Sequence, residues 1–530
     1  MSTSSMADWP FQKVLIANRG EIAVRVIRAC RDLGLRSVAV YSEADRDSLH
    51  VRMADEAYFI GPALASQSYL RIPTLIEVAK RAGAQAVHPG YGFLAENAAF
   101  VEACSEAGLI FVGPPPHAQL AMGEKTAARR VAQAANVPIV PGAMTDLEDD
   151  TQAGEVAERL GYPILLKAAA GGGGKGIRLV SAPEDLLASL RTARSEAQSA
   201  FSDSRVYLEK AISPARHIEV QFIADTHGNV VHLGERECSI QRRHQKLVEE
   251  SPSPIVDAEL RERMTSATIN LVRSIHFVNA GTAEFLVGPD RSFYFLEVNA
   301  RIQVEHSVTE ECTGIDLVRE QFRVAAGLPL SFTQEQIQLR GSAIECRISA
   351  EDPENRFLPA TGIIQGLQEP NGPGVRVESS LYAGMQVPLF YDPLLSKLIV
   401  WGRDREQAIL RMRRALAEYQ IVGVRTTLPF ARWLMEQPRF LTADLSTDFI
   451  AEEWDTREKS PLTRADENSS DTQDEPYTEL LPAQVAAIVG GLLMHEQLAE
   501  ETKRRQLPSN NDKDRSRWRE VSRKEVLRRI

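Results

Sequence analysis

The 530-residue chain exceeds what one hydrophobic core usually covers, so about two to four domains are expected and a small staple-dependent scaffold is excluded. Its 43% hydrophobic, 25% charged and 6% aromatic composition is that of a soluble globular enzyme. A formal net charge of −11, from 61 basic and 72 acidic residues, opposes a nucleic-acid partner and leaves only small anions as local ligands.

Residues 13–17 (KVLIA) form an apolar run ending in Asn18-Arg19-Gly20-Glu21, after which Ile22, Val26, Ile27, Ala29 and Leu33 recur at helical spacing. That order predicts strand, turn and helix. A second strand is expected over 35–41, a helix over 69–81, a strand over 86–88, a helix over 97–107 and a strand over 109–112. The alternation predicts a parallel sheet with helices on both faces. The first turn reads NRGE, not G-x-G-x-x-G, and gives dinucleotide binding no support.

Gly113-Pro114-Pro115-Pro116 punctuates the chain, and a helix is expected over 122–135. A smaller unit follows from about residue 139, with a helix at 153–160, strands at 163–168 and 177–180 around a glycine loop, a helix at 183–198 and a strand at 206–209. Pro214 opens a larger α+β body with strands at 217–224, 230–235, 281–286, 293–298, 343–348 and 396–401, then a helix at 404–418. Residues 452–479 hold ten acidic and three basic side chains and read as a solvated linker. An apolar helix is expected over 482–498, and residues 501–530 carry eleven Lys/Arg against five Asp/Glu.

Five cysteines, at 30, 104, 238, 312 and 346, are odd in number and lack metal-site spacing, which suits a reducing compartment. The opening MSTSSMADWPFQKV has neither the apolar core of a secretory signal nor the arginines of a transit peptide, and no apolar run reaches the roughly 20 residues that span a bilayer. A cytoplasmic protein with no membrane partner is expected.

Three constellations can carry chemistry. Lys167 precedes a run, Gly171, Gly172, Gly173 and Gly174, that ends in Lys175-Gly176 between two strands. Four glycines let backbone amides approach an anion closely, although a plain flexible hairpin would use them too. Glu284 lies on one strand and Glu297 with Asn299 on the next, where alternation puts Glu297 and Asn299 on one face. Such hard oxygen donors suit Mg²⁺ bridging nucleotide phosphates; acids on a solvated edge strand are the alternative. Arg301, Gln303, Glu305 and His306, with residues 235–246 upstream, set cations and amides beside a carboxylate, as an oxyanion site with a general base requires; surface ion pairs are the alternative for any one of them.

Six segments, NRGEIAVRVIRAC, HPGYGFLAEN, KAAAGGGGKG, ERECSIQRRHQKLVEESPSP, EFLVGPDRSFYFLEVNARIQVEHSVTE and ECRISAEDP, closely resemble biotin carboxylase, the ATP-grasp component of biotin-dependent carboxylases. The resemblance spans about residues 11–450. It implies an α/β and α+β multidomain fold: a Rossmann-like N-terminal domain (11–125), an ATP-grasp linker and lid (126–213), a C-terminal ATP-grasp and biotin carboxylase domain (214–450), and a tail of acidic linker, apolar helix and basic end (451–530).

The implied reaction uses MgATP, or the Mn²⁺ complex, to activate bicarbonate as carboxyphosphate, then carboxylates biotin held on a separate biotin carboxyl carrier protein. Position by position, Lys125, Lys167, His217, Gln241, His244, Glu209, the Lys210 backbone and Leu286 resemble nucleotide contacts, together with Gly171–Gly174 of the lid. Glu284, Glu297 and Asn299 resemble the metal site, with Glu284 and Glu297 also counted as cofactor ligands. Lys246, Arg301, Gln303 and the Val304 backbone resemble the bicarbonate pocket, Glu305 the base, Arg347 the stabiliser of the biotin enolate, and Tyr91 with Gly92 the biotin pocket. Arg25, Arg28, Asp32 and Arg376 resemble homodimer contacts. Carboxyltransferase partners are implied, with acetyl-CoA carboxylase and fatty acid biosynthesis as the expected setting, and a propionyl-CoA or pyruvate carboxylase as the alternative.

Two positions depart from the pattern. Ser307 stands where proline is expected, which predicts a looser loop after the base, and Pro373 stands where an aromatic dimer contact is expected. Another ATP-grasp carboxylate-amine ligase would share the lysines and metal ligands but has no need of RRHQK or RIQVEH. A non-catalytic regulatory protein would have no use for the complete charged set.

Overall fold

A computed structural model describes residues 9–142, 150–168, 177–201 and 203–457. The N-terminal part is a five-stranded parallel sheet of β1 (Lys13–Ile16), β2 (Arg36–Ser42), β3 (Glu56–Gly61), β4 (Ala86–His88) and β5 (Ile110–Phe111), ordered β3-β2-β1-β4-β5. Alternation along β1 divides its side chains between two cores. Val14 and Ile16 pack with Ile22, Val26 and Ile27 of helix Gly20–Asp32, whereas Leu15 packs with Val38, Val40, Leu75, Val78 and Phe100. Asn97 caps helix Ala98–Glu106 by accepting from the Phe100 N–H at 2.9 Å.

Two local differences from the sequence pattern appear here. The mixed polarity of β3 hides an edge strand that pairs with β2. The helix expected over 122–135 is two helices, Pro116–Gly123 and Lys125–Ala134, because Gly123 ends the first and Glu124 is extended at φ −99°, ψ 122°.

The middle unit is a three-stranded antiparallel sheet, β7-β6-β8, of β6 (Ile164–Ala168), β7 (Ile177–Val180) and β8 (Val206–Lys210). Helices Asp150–Leu160 and Leu186–Phe201 close its apolar core around Ile164, Leu166, Leu190 and Leu208. Beyond it lies an eight-stranded antiparallel sheet. It runs β13-β12-β9-β10-β11-β14, then Leu394–Gly402 and Val375–Ser379, with β9 (Arg216–Ala224), β10 (Val230–Arg242), β11 (Gln245–Ser251), β12 (Asn279–Val287), β13 (Phe293–Asn299) and β14 (Ser342–Ser349). Helix Ala258–Ser274, which the sequence pattern leaves unread, covers this sheet and is capped by Asp257.

Strand β10 runs on to Arg242, past the expected end at residue 235, and turns into β11 with Arg242 opposite Gln245. The two residues between them, Arg243 and His244, have positive φ of 50° and 64°, the region a tight two-residue hairpin needs and non-glycine residues avoid. Packing continues past residue 450. Trp454 is buried against Phe357, Phe430 and Trp433, and the compact unit ends at Arg457. The tail expected from 458 to 530, including the helix at 482–498, lies outside the described residues.

Candidate active site

The site is built on one face of the large sheet. Strand β9 alternates His217, Glu219 and Gln221 toward that face and Ile218, Val220 and Phe222 toward the apolar core. Strands β12, β11 and β14 add Glu284, Lys246 and Arg347, and the turn after β13 adds Arg301, Gln303 and Glu305. Lys246 sits at the centre. Its Nζ donates to Glu219 Oε2 at 2.5 Å, Glu284 Oε1 at 2.8 Å and Glu305 Oε1 at 2.7 Å.

Further cations complete the cluster. Arg236 is fully buried and donates to Glu219 Oε1 at 2.5 Å, Gln221 and Thr309. Arg347 Nη2 donates to the other oxygen of Glu305 at 2.8 Å. Glu305 is itself 0% exposed. Burial alone would raise its carboxyl, but Lys246, Arg347 and Arg236 outweigh burial and hold it well below the usual carboxylate range. Burial likewise opposes charge on Lys246, and Glu219, Glu284 and Glu305 together hold its ammonium well above the ordinary lysine range. An ionised carboxylate thus lies in the interior beside two cations able to bind a small anion.

Beside that centre, Asn299 Nδ2 donates to Glu284 Oε1 at 2.8 Å, and His217 Nε2 lies 3.0 Å from Glu284 Oε2. Glu297 is directly across the β12–β13 pair from Glu284. Arg301 donates to Asn299 Oδ1, to Gln303 Oε1 and to Glu96 Oε2, each at 2.9 Å.

Residues 10–119 match the biotin carboxylase N-terminal domain, residues 124–333 the ATP binding domain of the carbamoyl-phosphate synthase L chain, and residues 345–452 the biotin carboxylase C-terminal domain. A biotin carboxylase of Nostoc is 51% identical over 442 residues, covering 83% of this chain and 99% of its own length. The chain belongs to the biotin carboxylase family. Its reaction is the ATP-dependent carboxylation of biotin.

A pyruvate carboxylase component from Methanothermobacter thermautotrophicus is 53% identical to this biotin carboxylase over 442 residues, covering 83% of this chain and 90% of that one. The solved biotin carboxylase domain dimer of Hydrogenobacter thermophilus 2-oxoglutarate carboxylase, in complex with the magnesium salt of ADP, ADP and bicarbonate, superposes with a TM-score of 0.81 at 46% identity. It covers 85% of this chain and 99% of its own.

The carboxylase brings His217, Gln241, Lys246, Glu284, Asn299, Arg301, Gln303, Glu305 and Arg347 into one connected network. Gln241 reaches it weakly, 3.4 Å from His217 Nδ1, and Leu286 lies opposite His217 in the β9–β12 register. Lys167 and Glu209 form a second cluster in the middle unit, where the Glu209 carboxylate pairs with both Lys167 and Arg129. Lys210 uses its backbone N–H on Pro141 O at 2.8 Å and its ammonium on Gly161 O and Tyr162 O. His244 is exposed at the hairpin tip.

Tyr91 packs against the core that contains Ile302, and its backbone is pinned by Asn18, whose Nδ2 donates to Tyr91 O and Pro89 O, both at 2.7 Å. Gly92 follows at φ 69°. The Lys125 side chain and Gly171, Gly172, Gly173 and Gly174 lie outside the described residues. Val304 presents its carbonyl to Lys397 Nζ at 2.5 Å, and the same ammonium donates to Ser307 Oγ at 3.1 Å. Ser307 is therefore no loose loop residue: it is fully buried in the first turn of helix His306–Thr313. Sequence reasoning missed Glu219, Glu96, Arg129, Glu249 and Lys397. Only Glu219 had a local signal, the polar alternation His217-Glu219-Gln221 within an otherwise apolar strand.

Proposed function

We propose that this chain loads biotin on a separate biotin carboxyl carrier protein, using MgATP and bicarbonate, for a carboxyltransferase partner. The observation that carries the reading is Glu305: buried, ionised, and held 2.7 Å from Lys246 and 2.8 Å from Arg347. Bicarbonate would lie against Lys246, Arg301, Gln303 and the Val304 backbone. As it draws Lys246 toward itself, Glu305 loses part of its charge compensation, becomes more basic, and takes the bicarbonate proton. The freed oxygen attacks the γ-phosphorus of ATP, the bond to the β-phosphate oxygen breaks, and carboxyphosphate and ADP form.

Lys125, Lys167 and His217 would meet the phosphates, drawing Lys167 from Glu209. Glu209, the Lys210 backbone and Leu286 would line the adenine, with Gln241 and His244 alongside the nucleotide and Gly171 to Gly174 closing over it. Arg347 would stabilise the negative charge on the ureido oxygen of biotin as its nitrogen becomes nucleophilic, with Tyr91 and Gly92 bounding the pocket.

Glu284, Glu297 and Asn299 offer hard oxygen donors on two paired strands, and the buried, ionised state of Glu284 fits a divalent cation. These residues would hold Mg²⁺ or Mn²⁺, which supplies charge neutralisation at the phosphates when bound. The ion would compete with Lys246, Asn299 and His217 for the Glu284 carboxylate.

A separate carrier is supported by the Nostoc relative, almost all of whose length this chain covers. The homodimer rests on Arg25, Arg28, Asp32 and Arg376, of which Arg25 and Arg376 converge on Glu310 at 2.9 and 2.7 Å. Among the described residues no helix is long and apolar enough to cross a membrane, and we place the enzyme in the cytoplasm. The downstream acceptor we assign is acetyl-CoA, which sets the chain in fatty acid biosynthesis. The 53% identity to the Methanothermobacter pyruvate carboxylase component favours pyruvate as the second reading.

The test is bicarbonate-dependent ADP release by the purified chain, stimulated by free biotin. Glu305→Gln should bind ATP normally yet release no ADP in response to bicarbonate. Parental turnover in that variant removes Glu305 from the role of base.

A further inference from the structure

Directly behind Arg347 two carboxylates face each other. Glu249 on β11 and Glu345 on β14 are register partners across an antiparallel pair, and both are fully buried. Like charges set opposite one another are destabilising. Neither oxygen of Glu345, nor Oε2 of Glu249, has a hydrogen-bond partner among the described residues. An arrangement this costly in a core calls for a reason.

The charges facing the pair are Arg347, Lys246, Lys397, Glu305 and Glu21. Lys246 is shared among Glu219, Glu284 and Glu305, and Lys397 donates to Val304 O and Ser307 Oγ. Arg347 is left to bind the pair. Its Nε donates to Glu249 Oε1 at 2.6 Å while its Nη2 holds Glu305. Because the guanidinium is a rigid planar fork, anchoring Nε fixes where the remaining edge points.

We propose that Glu249 is a positioning residue for Arg347, and that Glu249 and Glu345 hold a single proton between them whose loss locks the guanidinium in its working orientation. The proposal rests on the reading above that Arg347 faces biotin. Burial pushes the Glu249 carboxyl up to about 8 against the pull of Arg347, and the Glu345 carboxyl up to about 7 against Lys397 and Arg347. Two carboxyls this close titrate as a pair, so one proton stays near neutrality and leaves as pH rises. Neutral Glu249 offers Arg347 a weaker acceptor; ionised, it makes a bond roughly twice as strong.

The experiment measures kcat, and KM for ATP and for free biotin, on the full chain from about pH 6 to about pH 9. Glu345→Gln removes the opposing charge, so Glu249 ionises more readily and the acid limb of kcat should move down by about one pH unit. Glu249→Gln should lower biotin-dependent kcat about tenfold or more while KM for ATP stays within about twofold, and Glu249→Asp should recover part of the loss. A Glu345→Gln profile that superimposes on the parent's or moves upward overturns the proposal, as does parental kcat in Glu249→Gln. Arg347→Lys separates the two readings. Full carboxylation in that variant removes Arg347 itself, whereas lost turnover with an unmoved Glu345→Gln profile removes only the carboxylate pair.

Discussion

Lys246 Nζ and Glu305 Oε1 lie 2.7 Å apart in the interior, and the same ammonium also holds Glu219 and Glu284. One cation therefore neutralises three carboxylates contributed by three separate segments. Lys246→Met keeps most of the stem's volume and removes the charge. The carboxylates would then share Arg236, Arg347 and His217 alone. Removing one partner from a buried ion cluster costs about 3–5 kcal/mol, and denaturant unfolding should show a loss of that size. Bicarbonate-dependent ADP release should disappear as well, because the anion loses its attracting cation.

Trp454 lies beyond the last residue of the sequence resemblance yet belongs to the core. Its ring centroid is 4.9 Å from Trp433 and 5.1 Å from Phe430, and its indole N–H donates to Pro353 O at 3.3 Å. Arg457, three residues on, pairs with Glu354 at 2.6 Å. Trp454→Ala should cost about 3–5 kcal/mol in unfolding free energy, while KM for ATP in the folded fraction should not change. The same packing means that a truncation intended to remove only the tail must fall after residue 457.

Elements with strong local periodicity are legible in the sequence alone. The β1 to β5 sheet follows from strand and helix alternation, and Glu284, Glu297 and Asn299 follow from strand alternation across one hairpin. What could not be read is what depends on long-range pairing. Glu305 meets Lys246 across 59 residues and Arg347 across 42, and nothing local in VEHSVTE marks that carboxylate as fully enclosed. Glu249 in LVEES looks like any strand acid until β14 places Glu345 opposite it. Edge strand β3 escaped because its residues alternate without a clear apolar face.

His88 should make the fold sensitive to mild acid. It is fully buried, with Nδ1 accepting from the Gly90 N–H at 3.0 Å and Nε2 3.3 Å from Gln321 Oε1, an arrangement that suits the neutral ring. Burial, reinforced by Arg25, lowers its pKa to about 3 in spite of Gln321. The unfolded chain binds this proton near 6.5 and the folded chain does not. Stability is therefore intact above about pH 6.5 and falls by about 1.4 kcal/mol per unit below it, down to about pH 3. His50, lowered to about 4 chiefly by burial, adds a second loss over the upper part of that window. Urea midpoints measured between about pH 7 and about pH 4 should fall, and fall less steeply in His88→Gln.

Ser307 replaces the proline that the resemblance leads one to expect, and its surroundings explain how either residue fits. It is the second residue of helix His306–Thr313, where a backbone N–H has no partner within the helix, so a proline would forfeit no bond there. The serine instead gives Lys397 a second acceptor at 3.1 Å beside the Val304 carbonyl at 2.5 Å. Lys397 is 0% exposed, and a buried ammonium deprived of an acceptor is costly. Ser307→Ala should therefore lower stability by about 1–3 kcal/mol. Ser307→Pro loses the same acceptor but stiffens the unfolded chain, which returns about 0.4–1 kcal/mol, so it should be the milder substitution in a denaturant titration. Because Lys397 bonds the carbonyl of Val304, whose backbone is expected to meet bicarbonate, both variants should raise KM for bicarbonate more than KM for ATP. Equal changes in the two constants would place Lys397 and Ser307 outside the bicarbonate pocket's support.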